Sequence, residues 1–212
     1  MTALTDPTDD LPEPDIIETE VPPRLVKIDE SDGIHINTTF SSDRRVRKVV
    51  YDKILSAKQH LPDDITFMIY EVYRPRAHQF ELWLQINQQM KSDYPDMNEH
   101  DLLKACENFV SNPYKVGSGH QFGCAVDITL CRMKDRVELD MGTAMQEFCA
   151  RTATDTDGLS RDQIENRTLL KEALEREGLV NYPSEWWHYS FGDRKWAQLT
   201  GSSETLYGVL PF

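Results

Sequence analysis

Long apolar runs are missing from this 212-residue chain, and no stretch approaches the roughly 18–20 residues that a membrane-crossing helix needs. Positive charge is scarce, with 23 Lys+Arg against 36 Asp+Glu and a formal net charge of −13. Nucleic acid and anionic membrane surfaces are polyanions, so that balance argues against either as the main partner. The first 23 residues contain no Lys or Arg. They carry neither the basic region nor the apolar region of a secretory signal, and a cytoplasmic location is the expectation. Cysteine is sparse too: Cys106, Cys124, Cys131 and Cys149 form no C-x-x-C pair. Free buried thiols are expected, rather than a disulfide framework or a zinc ribbon.

What is present suits one globular unit, with 39% hydrophobic residues over a typical domain length. Residues 1–23 hold seven acidic residues and five of the eleven prolines. They read as an acidic tail or extended arm, because they offer little apolar surface to offset the entropy of ordering. Residues 24–212 then form the folded domain. A short extended segment is expected over 25–36. Apolar residues recur every three to four positions over 44–61, which predicts a helix. Residues 65–73, ITFMIYEVY, are β-branched and aromatic and predict a buried strand. Helices are expected over 77–90 and 99–110, and a strand over 123–131. A capped helix should run over 162–177, ended by Gly178. Strands are expected over 185–191, 196–199 and 206–210. The sum is an α+β fold with a mainly antiparallel sheet flanked by helices.

Two of six histidines have surroundings that point to chemistry. His120 lies in 118–127, SGHQFGCAVD, where glycines permit close backbone approach. Asp127 interrupts an apolar strand, where a carboxylate is costly unless it is paired, hydrogen-bonded or metal-bound. A loop histidine and a capping Asp would explain the same residues. His188 closes Glu185-Trp186-Trp187-His188, which also reads as a Glu and a His flanking a core Trp pair. Taken together the segments supply His, Asp, His and a spare Glu. Zinc hydrolases use such a set: three N/O ligands, an open position and a carboxylate for the proton. Arg74 follows the first strand in Tyr73-Arg74-Pro75 and could serve a developing oxyanion. A surface arginine before a helix is the plainer account of it. Asp155-Thr156-Asp157-Gly158 resembles part of a calcium loop, but the register puts Ala153 and Ile164 at ligand positions, so that pattern fails.

At these residues the chain resembles the D-alanyl-D-alanine dipeptidases, zinc peptidases related to D,D-carboxypeptidases. The family pattern S-x-H-x-x-G-x-A-x-D matches Ser118, His120, Gly123, Ala125 and Asp127. E-x-W-H matches Glu185, Trp187 and His188, and Y-R-P matches Tyr73 to Pro75. Further likeness lies in Asp140-Met141-Gly142-Thr143, in Asn166-Arg167-x-Leu169-Leu170 and in 194–197, so it spans roughly 65–210. The resemblance implies one zinc per chain on His120, Asp127 and His188. It implies Glu185 as the general base and Arg74 as the group polarising the scissile carbonyl, with Ser118 shaping the pocket. One position departs from the family. Where its pattern places an Asp able to pair with a substrate ammonium, this chain has Gln146, followed by Glu147. The implied activity is hydrolysis of D-Ala-D-Ala or a related D-amino-acid dipeptide, with a small peptide as partner. Two alternatives stay open on the sequence: a D,D- or L,D-carboxypeptidase on muropeptide stems, and a non-catalytic zinc-stabilised binding module.

Overall fold

In the computed structural model, which describes residue 8 and residues 10–107, 110–115, 117–147 and 149–211, two long strands organise the chain. β4 (Ile65–Glu71) and β5 (Ala125–Arg132) pair antiparallel at the centre of a five-stranded sheet. Around them stand β1 (Leu25–Lys27), β2 (His35–Ile36), β3 (Arg45–Arg47), β6 (Val180–Asn181) and β7 (His188–Ser190). The sheet order is β2-β4-β5-β7-β6, with only the β2–β4 pair parallel, while β1 and β3 form a separate antiparallel ribbon. The helices are α1 (Lys48–Lys58), α2 (Arg76–Asp93), α3 (Glu99–Glu107), α4 (Arg161–Glu175) and α5 (Arg194–Thr200). This is the α+β, mainly antiparallel architecture that the sequence predicts. Among the described residues, no helix is long and apolar enough to cross a membrane.

Side-chain alternation divides the work of the sheet between its faces. Phe67 and Ile69 of β4, Val126, Ile128 and Leu130 of β5, and Tyr189 of β7 share one core with Val50, Ile54 and Ala57 of α1 and with Leu170 and Leu174 of α4. Each Val, Leu, Ile or Phe side chain among them contributes about 1.5–3 kcal/mol by leaving water. Asp127 sits between Val126 and Ile128 and so projects from the opposite face. A register shift between Ile69 and Glu71 brings Glu71, rather than Tyr70, opposite Asp127. A second, smaller core joins α2 to α3 through Trp83, Leu102 and Cys106.

The structure corrects several expected elements. Residues 45–47 are strand, not the start of a helix, because they pair with β1 before α1 begins at Lys48. Residues 196–199 lie in α5, whose start is fixed by the Asp193 side chain accepting from the Trp196 N–H. The 206–210 segment forms no strand; its Leu206 carbonyl accepts instead from Thr19. The helix expected over 99–110 is described to Glu107, and residues 108 and 109 lie outside the described residues. The capping box at Ser160 and Gln163 forms, and α4 ends at Glu175, shortly before Gly178 takes a left-handed φ of 84°. All four cysteines are free thiols, three of them buried.

Residues 1–7 and 9 of the expected tail lie outside the described residues, but the rest of that segment is laid against the C-terminal stretch. Asp15 bridges Glu204, Ile17 N–H donates to Thr205 Oγ1 at 2.9 Å, and Glu18 reaches fully buried Arg47 at 2.6 Å.

Candidate metal centre and active site

Three acidic and basic side chains stand in one row across the sheet. In the β4–β5–β7 register, Glu71 faces Asp127 and Asp127 faces His188. His188 Nδ1 lies 3.0 Å from Asp127 Oδ1. His120 arrives from the loop before β5 and places Nε2 3.3 Å from the same oxygen. Within the loop, Gly119 is required because a Cβ would fall 2.0 Å from Asp193 Oδ2 and 2.9 Å from the Ala125 Cβ. Gly123 has a φ of +68°, which lets the chain turn into β5. The other ring nitrogen of His120, Nδ1, lies 2.7 Å from the Val72 carbonyl. A carbonyl only accepts, so Nδ1 carries the proton and Nε2 is left as the donor to a metal.

Glu185 is brought to this row by a tight turn. Its N–H donates to the Tyr182 carbonyl and its own carbonyl accepts from His188, while the Asn181 amide donates to the carbonyls of Glu185 and His188. Trp186 and Trp187 between them are buried and anchor the turn. Glu185 Oε2 then stands 3.8 Å from His188 Nδ1. Burial raises its pKa to about 7, working against the attraction of His188. Asp127 behaves oppositely: burial would raise its pKa, but His120 and His188 hold it far below the usual carboxylate range.

Arg74 is buried at the end of β4, not at the surface. Its Nε and Nη2 donate to the two oxygens of Glu71 at 2.9 and 2.5 Å, and its Nη1 donates to Gln79 Oε1 at 2.9 Å. Among the described residues these bonds occupy three of the five guanidinium N–H groups, which leaves two for a ligand. Ser118 Oγ shares Gln79 Oε1 at 3.4 Å, so the serine braces the same cluster. Gln146 Nε2 donates to Asp127 Oδ2 at 3.2 Å. Glu147 turns away and accepts from the Ala144 N–H at 2.8 Å. Sequence reasoning passed over Glu71 and Gln79. Glu71 carried the signal that exposed Asp127, an acidic residue closing an apolar strand; Gln79 carried none.

The donor set suits zinc. One atom from each of His120, Asp127 and His188 lies within 4.8 Å of the others. Ligand atoms about 2.1 Å from a tetrahedral zinc are roughly 3.4 Å apart, close to the 3.0 and 3.3 Å contacts at Asp127 Oδ1.

Comparison with known proteins gives the family. The family model Peptidase_M15, described as D-ala-D-ala dipeptidase, matches residues 45–202. The chain belongs to this family. It is thereby a zinc metallopeptidase. A D-alanyl-D-alanine dipeptidase of Enterococcus faecium is 25% identical over 167 residues, covering 76% of this chain and 78% of that protein. The Escherichia coli K12 dipeptidase is 29% identical over 127 residues, 59% of this chain and 54% of its own length. That of Synechocystis is 36% identical over 90 residues, 37% of this chain and 36% of its own. A crystal structure of a vancomycin-resistance D,D-pentapeptidase VanY mutant with Zn(II) gives a TM-score of 0.47 at 17% identity, covering 84% of this chain and 90% of the other.

Proposed function

We propose that this peptidase hydrolyses D-Ala-D-Ala or a closely related D-amino-acid dipeptide in the cytoplasm, as part of cell-wall peptide metabolism, with one zinc held by His120, Asp127 and His188. The convergence of those three side chains beside Glu185 carries the reading. The metal, when bound, supplies Lewis acidity that makes water nucleophilic near neutral pH and polarises the scissile carbonyl. Glu185 Oε2 takes a proton from the attacking water and passes it to the leaving amine nitrogen. Burial favours the protonated form of Glu185, which helps its carboxylate take up the proton that it then hands on. The two free N–H groups of Arg74 donate to the carbonyl oxygen as charge develops on it. Glu71 and Gln79 hold the guanidinium plane in place for that contact. Ser118, beside Gln79, and Gln146, beside Asp127, are assigned to the substrate pocket.

A purely structural zinc site would need neither Glu185 nor an arginine with spare donors, which weighs against a non-catalytic binding module. A carboxypeptidase acting on muropeptide stems would use the same groups and differs in what it accepts at the substrate's amino end. The test is metal analysis of the purified protein together with a panel of D,D-, L,D- and L,L-dipeptides and an N-acylated D,D-peptide. About one zinc per chain and turnover confined to D,D-substrates is the expected result. Zinc retained after His120→Ala and His188→Ala together would overturn the ligand assignment.

A further inference from the structure

Asp127 has its two oxygens divided between different neighbours. Oδ1 faces His188 Nδ1 and His120 Nε2, at 3.0 and 3.3 Å, while Oδ2 accepts from the Gln146 side-chain amide at 3.2 Å. A carboxylate only 2% exposed needs both oxygens satisfied, and the direction it points is set by what satisfies them. We propose that Gln146 is a positioning residue for the metal centre: its amide holds Oδ2 of Asp127, so that Oδ1 is the oxygen presented to the metal. The inference rests on the reading of His120, Asp127 and His188 as the zinc ligands.

Two observations support it independently of that distance. Gln146 has a φ of 57°, and Arg136 is the other non-glycine residue with positive φ among the described residues. A side chain with a Cβ is strained there, and Gly or Asn would sit more easily. The segment leading to Gln146 is also tied down. Asp140 accepts from the Gly142 N–H, Thr143 Oγ1 accepts from the Trp186 indole, and Arg167 donates to the Met141 carbonyl. The Trp186 contact ties the loop to the turn that carries Glu185 and His188. Residue type matters as well. A glutamine can donate to a carboxylate oxygen, whereas an ionised Asp or Glu at this position has no proton to give and would repel Asp127.

The test measures zinc affinity by chelator competition, with the melting temperature of the metal-free protein and the visible spectrum of the cobalt-substituted protein read alongside. Gln146→Met keeps the shape and removes the donor. Gln146→Gly removes the donor and relieves the backbone. Partners that orient a metal ligand typically change affinity by about 10–100-fold when removed, so both variants should bind zinc about tenfold or more weakly. Their cobalt bands should shift, and the metal-free Gln146→Gly protein should melt no lower than wild type. Zinc affinity within about threefold of wild type in either variant overturns the inference, as does an affinity loss in Gln146→Gly accompanied by a comparable loss of metal-free stability. His120→Ala separates the two readings: if it keeps zinc, the ligand assignment has failed, and if it alone loses zinc, only the role of Gln146 has.

Discussion

Two buried arginines flank the loop that carries His120, and the regions around them are built on opposite plans. At the seam between the N-terminal arm and the C-terminal stretch, Arg47 is used up. Its Nε donates to the Phe122 carbonyl at 2.8 Å, its Nη2 to Glu18 and to the Gly208 carbonyl, and Glu20 lies 3.5 Å from Nη1. At the end of β4, Arg74 is held by Glu71 and Gln79 yet, among the described residues, keeps two donors uncommitted, beside Asp127 and Glu185. A charge whose every contact is internal holds the fold together. A charge fixed in place but left with spare donors is ready for a ligand. The same residue type thus serves structure in one region and chemistry in the other. If so, substitutions of the site groups should cost activity beyond any loss of stability, and those at the seam should cost stability while sparing turnover per folded molecule.

The largest effect expected at the site end is that of Glu185→Gln. The amide cannot take up the proton, so kcat should fall by about 10²–10⁴ while zinc content and melting temperature hold. Near-normal kcat with zinc bound would remove Glu185 from the proposed chemistry and blur the contrast.

At the seam, the double variant Glu18→Gln, Glu20→Gln leaves Arg47 buried without a carboxylate. Breaking a buried pair from one side costs about 3–5 kcal/mol, and the lower end applies because the Glu18 and Glu20 side chains are 25% and 28% exposed. Denaturant unfolding should show that loss, with kcat per folded, zinc-loaded molecule close to wild type. Unchanged stability would mean that the arm merely lies on the surface.

The two regions also differ in how far the sequence foretold them. His120, Asp127, His188, Glu185 and Arg74 stand in short local patterns, because a strand, a turn and a loop each deliver one or two of them. The central strands were legible for a similar reason: β4 and β5 are apolar or β-branched almost throughout. The seam was not. Arg47 meets partners 29 and 161 positions away, and nothing near it in the chain announces them. Residues 194–200 misled because Trp196, Ala197 and Leu199 suit a strand as well as a helix, and the Asp193 cap decides between them. Glu71 joins the site through a register shift, which hydrophobic alternation does not reveal.

Arg74→Lys is the sharper probe of the contrast between the two arginines. An ammonium cannot grip both Glu71 oxygens and Gln79 and still present two directed donors. Loss of an oxyanion donor costs about 10²–10³ in kcat, and a fall near the lower end is expected because the charge itself remains. A change confined to KM would make Arg74 a uniform substrate-binding group, closer in kind to Arg47.

The smallest expected effect concerns the amino end of the substrate. Glu147 is turned onto the Ala144 N–H and Gln146 commits its amide nitrogen to Asp127, so Gln146 Oε1 is the acceptor left there for an ammonium. A neutral acceptor holds an ammonium less well than a carboxylate does. The wild type should therefore distinguish free D-Ala-D-Ala from its N-acetyl form by no more than about tenfold, a difference of about 1.4 kcal/mol. Gln146→Asp introduces a charge-assisted partner contributing roughly 1.5–3 kcal/mol, which should raise that ratio by about ten- to hundredfold. It should also weaken zinc binding, since Asp127 loses its amide donor. The ratio of the two kcat/KM values is unaffected by that loss, because both substrates meet the same fraction of loaded enzyme. A wild type already strongly selective, and unchanged by Gln146→Asp, would place recognition of the ammonium on another group and leave Gln146 with the metal centre alone.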